Sequence, residues 1–225
     1  AVRGLQGDNL SHPDKIAACA KHYVAYSGAE GGRDYNTVGC GMRELHDVYL
    51  VPFKAAVEAG AATVMSSFNE VDGLPVTADR HLLTDVLKEQ YGFEGFIISD
   101  ADAVAELHTG HGVAATPADA AEMAVNAGLD MEMWSGLYVK HLAELVERGT
   151  VSLARIDDCV RRILRIKFMC GLFENPYCDE SLKKRVMLCD DHRAAARRIA
   201  AETITMVKNN GVLPLSGEDD GITLI

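Results

Sequence analysis

"GFEGFIISDADAVAEL", residues 92–107, joins a short apolar run to an acid at its end. The run at residues 96–98 is typical of a strand that is covered on both faces, and Asp100 follows it closely. An ionised carboxylate beside a dry core is costly unless it is paired or hydrogen-bonded. Asp100 therefore either caps the following helix or is a catalytic group held in place by a rigid strand. Asp102 is better placed to cap that helix, which leaves Asp100 available for chemistry. Glu106, inside the helix, is interpreted as a surface residue.

Strand-like runs recur at residues 17–24, 62–68, 95–100 and 129–133, and helical patterns lie between them at 42–60, 79–91 and 116–128. Short strands that alternate with helices indicate βαβ units and a parallel sheet. A doubly wound sheet and a β/α barrel both fit this order. The barrel is favoured because polar residues gather where strands end, at Lys21-His22, Phe68-Asn69 and Asp100. Only four strands are visible and a barrel needs eight, so we expect an α/β fold forming the second half of a (β/α)8 TIM-type barrel.

The pattern changes after the last strand. A helix is predicted at 136–149, and a long amphipathic helix runs from Ser152 to near Gly171, with its basic residues at 161–167 interpreted as a solvated face. A loop at 173–180, a helix at 192–209 and a linker at 209–221 follow. We expect the barrel half to cover 1–171 and linker helices to cover 172–221, leading toward an α/β sandwich domain that begins at 222–225 and is not included.

Composition excludes several classes of function. The net charge of −11 disfavours binding to nucleic acid, and no run of about 18 apolar residues predicts a membrane span. The six cysteines match neither a zinc site nor a compact disulfide framework, and they are interpreted mostly as small apolar fillers. This cysteine usage weakly suggests a reducing, cytoplasmic compartment.

Three stretches carry candidate ligand-binding groups. Lys21 and His22 are adjacent on a strand, so their side chains diverge unless the strand bulges. They form either a structural pair or two hydrogen-bond donors, and Lys21 on a β/α barrel also suits a Schiff-base aldolase, which borohydride trapping would reveal. Arg33 lies in a glycine-rich loop that lacks a phosphate-binding pattern. Phe68, beside Asn69, can either stack on a sugar or fill the core.

Together these stretches resemble glycoside hydrolase family three, the β-glucosidase and β-xylosidase group. The matching segments run in family order over almost the whole chain: "KHYVAYSGAEGGRDYNTV", "MRELHDVYLVPFKAAVEAG", "VMSSFNEVDGLPVTADRHLLTDVLKEQYGFEGFIISD", "AVNAGLDMEM" and "AAARRIAAETITMVKNNGVLPL". The wording "EGGRDYNTV" is most similar to bacterial periplasmic-type β-glucosidases. The resemblance therefore implies a periplasmic or secreted enzyme, against the weak cytoplasmic suggestion of the cysteines.

The resemblance implies a role for each candidate. Asp100 falls on the family's catalytic nucleophile, and the substrate-binding candidates are Lys21, His22, Phe68, Asn69 and Arg33. No metal or organic cofactor is expected. The family's other sugar-binding acid and arginine belong to the first barrel half, and its acid/base glutamate belongs to the sandwich domain, so we expect both outside this chain. Two positions depart from the family: Ala101 stands where tryptophan is common, and Phe68 stands where tyrosine is common.

The expected activity is that of an exo-acting, retaining β-glucosidase or β-xylosidase that acts on oligosaccharides or aryl β-glycosides through a covalent intermediate on Asp100. The chain alone is expected to be inactive, with the rest of the barrel and the sandwich domain as partners in the same polypeptide. One alternative is a β-N-acetylglucosaminidase of the same family, whose usual "FPGHG" is replaced here by "YVAYSG". The other is a non-catalytic sugar-binding fragment.

Overall fold

The structure is a computed structural model that describes residues 1–215 of the 225-residue chain. By its internal contacts the chain divides into two units, Ala1–Pro176 and Tyr177–Ile225. The predicted start of a further domain at 222–225 lies outside the described residues.

The first unit is built on a parallel sheet. Its strands are β1 (Cys19–Tyr23), β2 (Thr63–Ser66), β5 (Phe96–Ala101) and β6 (Met131–Met133). They lie side by side in the order β1-β2-β5-β6, and every neighbouring pair is parallel. A small antiparallel hairpin, β3 (Glu70–Val71) and β4 (Leu74–Pro75), follows β2. The prediction of an α/β fold with a parallel sheet is confirmed.

Helices connect the strands. In the first unit they are α1 (Val2–Gln6), α2 (Met42–Glu44), α3 (Val51–Glu58), α4 (Ala103–Thr109), α5 (Pro117–Ala127), α6 (Leu137–Glu147) and α7 (Leu153–Met169). Two segments with π-helical hydrogen bonding, Leu45–Tyr49 and His81–Gln90, extend this set. The second unit contains α8 (Ser181–Val186) and α9 (Asp190–Thr203). The helix predicted over 192–209 thus ends earlier than expected, since residues 204–209 are not helical.

The core lies between the sheet and the connecting helices. All four residues of β2 are buried, and Ile97 of β5 is buried beside it. The apolar face predicted for the helical segment before β5 is also buried, at Leu82, Leu83, Val86 and Leu87. Burying one such leucine contributes about 1.5–3 kcal/mol, so this packing fixes the depth of the strand that carries Asp100.

The residues that lead into β5 are held by a close contact between Gly95 and Ala62 and by hydrogen bonds from α7. A Cβ on Gly95 would lie 2.0 Å from the Ala62 carbonyl oxygen, so only glycine fits there. Arg162 of α7 donates from Nη1 to the carbonyl oxygens of Phe93 and Gly95, at 3.0 Å each. The interpretation of residues 161–167 as a solvated face is therefore wrong for Arg162, which is half-buried and tied to the strand.

Helix α5 has the N-terminus that its sequence predicts. Thr116 is the N-cap and accepts from Asp119 N through its side chain at 3.1 Å, and Pro117 occupies the first helical position. We expect Thr116→Ala to lower the free energy of unfolding by about 1 kcal/mol, because one helix amide loses its acceptor. Urea denaturation measures this. Thr109→Ala, at an exposed position of α4, is the control and should stay within about 0.5 kcal/mol of the parent; equal losses in both variants would contradict the cap.

Candidate active site

Three strands deliver polar side chains to one edge of the sheet. Lys21 and His22 lie near the end of β1, Asn69 follows β2, and Asp100 lies near the end of β5. Because the strands are parallel, all these positions are at the carboxyl end of the sheet. His22 and Asp100 meet there, with Nε2 of the histidine 3.3 Å from Oδ2 of the aspartate.

Asp100 is held but not enclosed. Its Oδ1 accepts from the amide of Ala101 at 2.8 Å, and its side chain keeps 15% exposure. This bond is local and leaves α4 uncapped, so Asp100 does not serve as a helix cap. Asp102 occupies the N-cap position of α4 with φ +62, but its side chain makes no capping hydrogen bond. The prediction that the side chain of Asp102 caps this helix is therefore wrong.

Four effects set the pKa of His22. Burial lowers the pKa of the imidazole, the neighbouring Asp100 carboxylate raises it, Lys21 lowers it and Asp34 raises it. The net direction is downward, which favours a neutral ring near pH 7. The ring of Tyr26 packs edge-on against His22 at a centroid separation of 5.3 Å and limits its rotation. A neutral imidazole has one N–H donor and one acceptor nitrogen, and both are suited to the hydroxyl groups of a sugar.

Lys21 and His22 share a cavity although they are adjacent in sequence. The register of the β1–β2 ladder shifts between Ala20 and Tyr23, so strict alternation of side chains is interrupted there. Both side chains line a cavity of about 440 Å³ whose walls include Tyr26, Tyr49 and Phe53. The Lys21 amine lies 4.0 Å from Met65 Sδ.

Phe68 and Asn69 lie below the open surface. Phe68 is 9% exposed, and its ring contacts Tyr35 at 4.6 Å and Tyr26 at 6.1 Å between centroids. Asn69 is fully buried, and its Nδ2 donates to the carbonyl oxygens of Val24 at 3.2 Å and Glu70 at 3.3 Å. Its Oδ1 has no hydrogen-bond partner among the described residues.

Arg33 lies apart from the Lys21–His22 cavity. It is exposed in the glycine-rich loop and lines a separate depression with Tyr26 and Asp34. Tyr26 donates its hydroxyl to Asp34, and burial together with this bond raises the pKa of Tyr26. The loop is thereby fastened to the ring that packs on His22.

Sequence reasoning missed two further acids near this edge. Glu106 is half-buried instead of being a surface residue, and burial raises the pKa of its carboxyl, with Asp100 adding to that increase. Glu70 Oε1 lies 2.8 Å from Nδ1 of His111, which joins the β3–β4 hairpin to the loop after α4. This hydrogen-bond contact joins positions far apart in sequence, and no local pattern marks it. Helical spacing could have shown that Glu106 shares a face with the buried Ala103.

Similarity to known proteins shows the family of this chain. Residues 1–166 match the family described as "Glycosyl hydrolase family 3 N terminal domain". The chain belongs to glycosyl hydrolase family 3. Its curated relatives include the periplasmic beta-glucosidase of Salmonella typhimurium, 37% identical over 225 residues that cover 95% of this chain and 29% of that protein. A putative beta-xylosidase of Formosa agariphila is 36% identical over 220 residues, which cover 96% of this chain and 29% of that protein.

Solved structures of family 3 agree in fold. The beta-glucosidase of Listeria innocua superposes with a TM-score of 0.90 at 41% identity, over 95% of this chain and 30% of that one. A D270A mutant of that enzyme was crystallised with laminaribiose, and it also gives a TM-score of 0.90. This family 3 chain therefore spans less than a third of the length of the relatives it matches.

Within 1–215, no group of three or more histidine, cysteine or acidic side chains is arranged to hold a metal ion. No helix in the described part of this family 3 chain is long and apolar enough to cross a membrane. All six cysteines are free, and Cys159 is buried whereas Cys19 and Cys178 are exposed. The interpretation of the cysteines as buried fillers is therefore wrong for the two exposed ones.

Proposed function

We propose that this chain carries the nucleophile and part of the sugar-binding site of a retaining β-glycosidase, an exo-acting β-glucosidase or β-xylosidase. The observation that supports this most directly is the partly exposed Asp100 at the carboxyl end of β5, 3.3 Å from His22. A strand-borne carboxylate is positioned rigidly, as covalent catalysis requires. The beta-glucosidases and beta-xylosidases among its relatives are consistent with both substrate classes.

In the proposed mechanism, an Asp100 oxygen attacks the anomeric carbon of the terminal sugar. The glycosidic C–O bond breaks, and the leaving oxygen takes a proton from a general acid. Water, deprotonated by the same group acting as a base, then attacks the anomeric carbon and frees the carboxylate of Asp100. The two carboxyl groups of a retaining enzyme lie about 5–5.5 Å apart. We propose that the second is supplied by an α/β sandwich domain of the same polypeptide, so that this chain alone is inactive.

The sugar-binding set divides by position. Lys21 and His22 line one cavity, His22 lies 3.3 Å from Asp100, and both residues are proposed to bind hydroxyl groups of the first sugar. Phe68 is proposed to support the ring of Tyr35, against which it packs. Asn69 is proposed to contribute from below the surface, where its Oδ1 lacks a hydrogen-bond partner among the described residues. Arg33 is proposed to reach the substrate from the glycine-rich loop.

The proposed architecture places the sheet in half of a (β/α)8 barrel. Each of the outer strands, β1 and β6, has a neighbour on one side only within the described residues. We propose that the other half of the barrel belongs to the same polypeptide, that the present half covers 1–171, and that 172–221 links it to the sandwich domain from 222 onward. A periplasmic or secreted location is proposed because the Salmonella relative is named periplasmic.

Covalent labelling tests the function. The polypeptide that contains this chain should be inactivated by a 2-fluoro β-glycoside with a good leaving group, because fluorine slows both steps and the good leaving group speeds only the formation of the intermediate. Peptide mapping should locate the adduct on Asp100. A label on Asp102 or Glu106 would show that the labelled residue is the nucleophile instead of Asp100. Inactivation without any adduct would contradict the covalent mechanism.

Lys21→Ala should behave as the loss of a binding group. We expect kcat/KM to fall, and the loss of transition-state stabilisation calculated from it to be about 1.5–3 kcal/mol, since a charged hydrogen bond to the substrate is lost. The 2-fluoro label should still form on Asp100, only more slowly. Lys54→Ala, at an exposed site on α3, is a matched control that should leave kcat/KM unchanged. Wild-type kinetics for Lys21→Ala would contradict its role.

A further inference from the structure

Trp134 is the single tryptophan of the chain and directly follows β6. Its side chain is 84% exposed. An isolated exposed apolar residue is normal on a protein surface, so exposure by itself indicates nothing. Trp134 lies at the carboxyl end of the sheet, as Asp100 does, and this position makes its exposure relevant to ligand binding.

The strand ladder places Trp134 close to Asp100. Met133 pairs with Ala101, and the amide of Asp102 donates to the Met133 carbonyl at 3.1 Å. Neighbouring strands are about 4.8 Å apart and consecutive Cα atoms about 3.8 Å apart, so the Cα atoms of Trp134 and Asp100, each one residue from the Met133–Ala101 pair, lie within about 12 Å of each other. The nearest residue between them, Ala101, has only a methyl side chain and is itself exposed. The indole is therefore within reach of a ring that is bonded to a sugar at Asp100.

The backbone that displays Trp134 is fixed at both ends. Trp134 has φ +82, in the left-handed region that costs a non-glycine residue about 1–3 kcal/mol and persists only where surrounding contacts determine it. Those contacts come from Glu132, whose carboxylate accepts from the amides of Leu137 at 3.0 Å and Tyr138 at 2.7 Å. On the other side, the amide of Met133 donates to Ser99 Oγ at 2.8 Å. A turn held in this way fixes the backbone from which the indole extends, so that binding has to order only the side chain of Trp134.

We infer that Trp134 is the stacking platform for the leaving-group sugar of a β-linked oligosaccharide, while the terminal sugar occupies the site at Asp100. The inference rests on the proposed function and adds to it a determinant of specificity. A pyranose ring presents a face of C–H groups that packs on an aromatic plane, and tryptophan offers the largest such plane. The site should consequently prefer leaving groups that contain a ring.

The test compares two substrates in the polypeptide that contains this chain. Laminaribiose has a sugar as its leaving group, whereas β-glucosyl fluoride has no ring on that side. Trp134→Leu should lower kcat/KM for the disaccharide by about ten- to a hundredfold and change that for the fluoride by less than about threefold. Trp134→Phe, which keeps a ring, should recover most of the loss. Val139→Ala, at a 91% exposed position on α6, is the matched control and should change neither substrate.

The possible outcomes separate this inference from the proposed function. Equal losses on both substrates, or no loss on either, would overturn the platform, including the case in which another part of the polypeptide covers Trp134. If the parent hydrolyses neither substrate, the same comparison is made with xylobiose and β-xylosyl fluoride; if it hydrolyses none of the four, the proposed function fails, and binding then decides the inference. The fluorescence difference between the parent and Trp134→Phe should change with laminaribiose and not with glucose; no change with laminaribiose overturns the inference.

Discussion

Asp100→Asn should reduce turnover by roughly four orders of magnitude while sugar binding stays nearly unchanged. The amide has almost the shape of the carboxylate but is a far weaker nucleophile, and covalent catalysis depends on that group. At 1.36 kcal/mol for each tenfold change, this loss corresponds to about 5 kcal/mol or more of additional barrier. Steady-state kinetics on an aryl β-glycoside measures the loss, and calorimetric titration with glucose measures the binding.

Asp102→Asn is the matched control for this prediction. It removes the same charge two residues further on, from a side chain that makes no capping bond in α4. We expect its kcat to stay within about threefold of the parent, because the residue neither attacks the sugar nor holds Asp100. Near-normal activity of Asp100→Asn, or a larger loss in Asp102→Asn, would show that the nucleophile has been assigned to the wrong residue.

The edge that carries the site could be predicted from sequence because its causes are local. An apolar run that ends in an acid predicts a strand with Asp100 near its tip, as β5 shows, but the expected coverage of both faces is wrong for β5, in which only Ile97 and Ser99 are buried. Parallel strands then require that Lys21, His22 and Asn69 lie at the same edge. The cap at Thr116 is equally local, since its side chain accepts from the amide of Asp119 only three residues further on.

The contacts within the site could not be predicted, because they depend on tertiary structure. The approach of His22 to Asp100 joins strands on either side of β2, and the shared cavity of Lys21 and His22 coincides with a register shift in β1. No period in the sequence marks such a shift. The same holds for Arg162, which has the spacing of a surface residue but donates to backbone carbonyls far away in the chain.

The contacts of a buried charge cluster around Asp130 could not be predicted from the sequence either. Asp130 lies just before β6, and its side chain is completely buried. It accepts from Lys88 Nζ at 2.6 Å, Arg155 Nη2 at 2.8 Å and the amide of Ile97 at 2.8 Å. These partners come from a helical segment, from α7 and from β5, so the cluster joins three elements around the strand that carries Asp100. Burial lowers the pKa of Lys88 to about 8, although Asp130 and its hydrogen bond act in the opposite direction.

Asp130→Ala should therefore lower the free energy of unfolding by about 3–5 kcal/mol, since it leaves the buried Lys88 ammonium without its counter-ion and leaves Arg155 with only the more exposed Asp158. Lys88 has a folded pKa below its unfolded value, so its contribution to stability is present above the unfolded pKa and is lost as pH falls through the folded pKa. Removing Asp130 lowers the pKa of Lys88 further, and the loss should accordingly be largest near pH 6 and smaller near pH 10. Urea denaturation across that range measures it.

Two variants separate an unpaired charge from a simple packing defect. Asp158→Ala removes a more exposed carboxylate that pairs with both Arg155 and Arg162, and it should cost about 1 kcal/mol or less. Adding Lys88→Met to Asp130→Ala removes one of the stranded cations and should restore part of the lost stability, because an apolar chain of similar length replaces a buried ammonium. If the double variant were less stable than Asp130→Ala, or if the loss did not change with pH, the electrostatic explanation would fail and the role of Asp130 would be limited to its bond with Ile97.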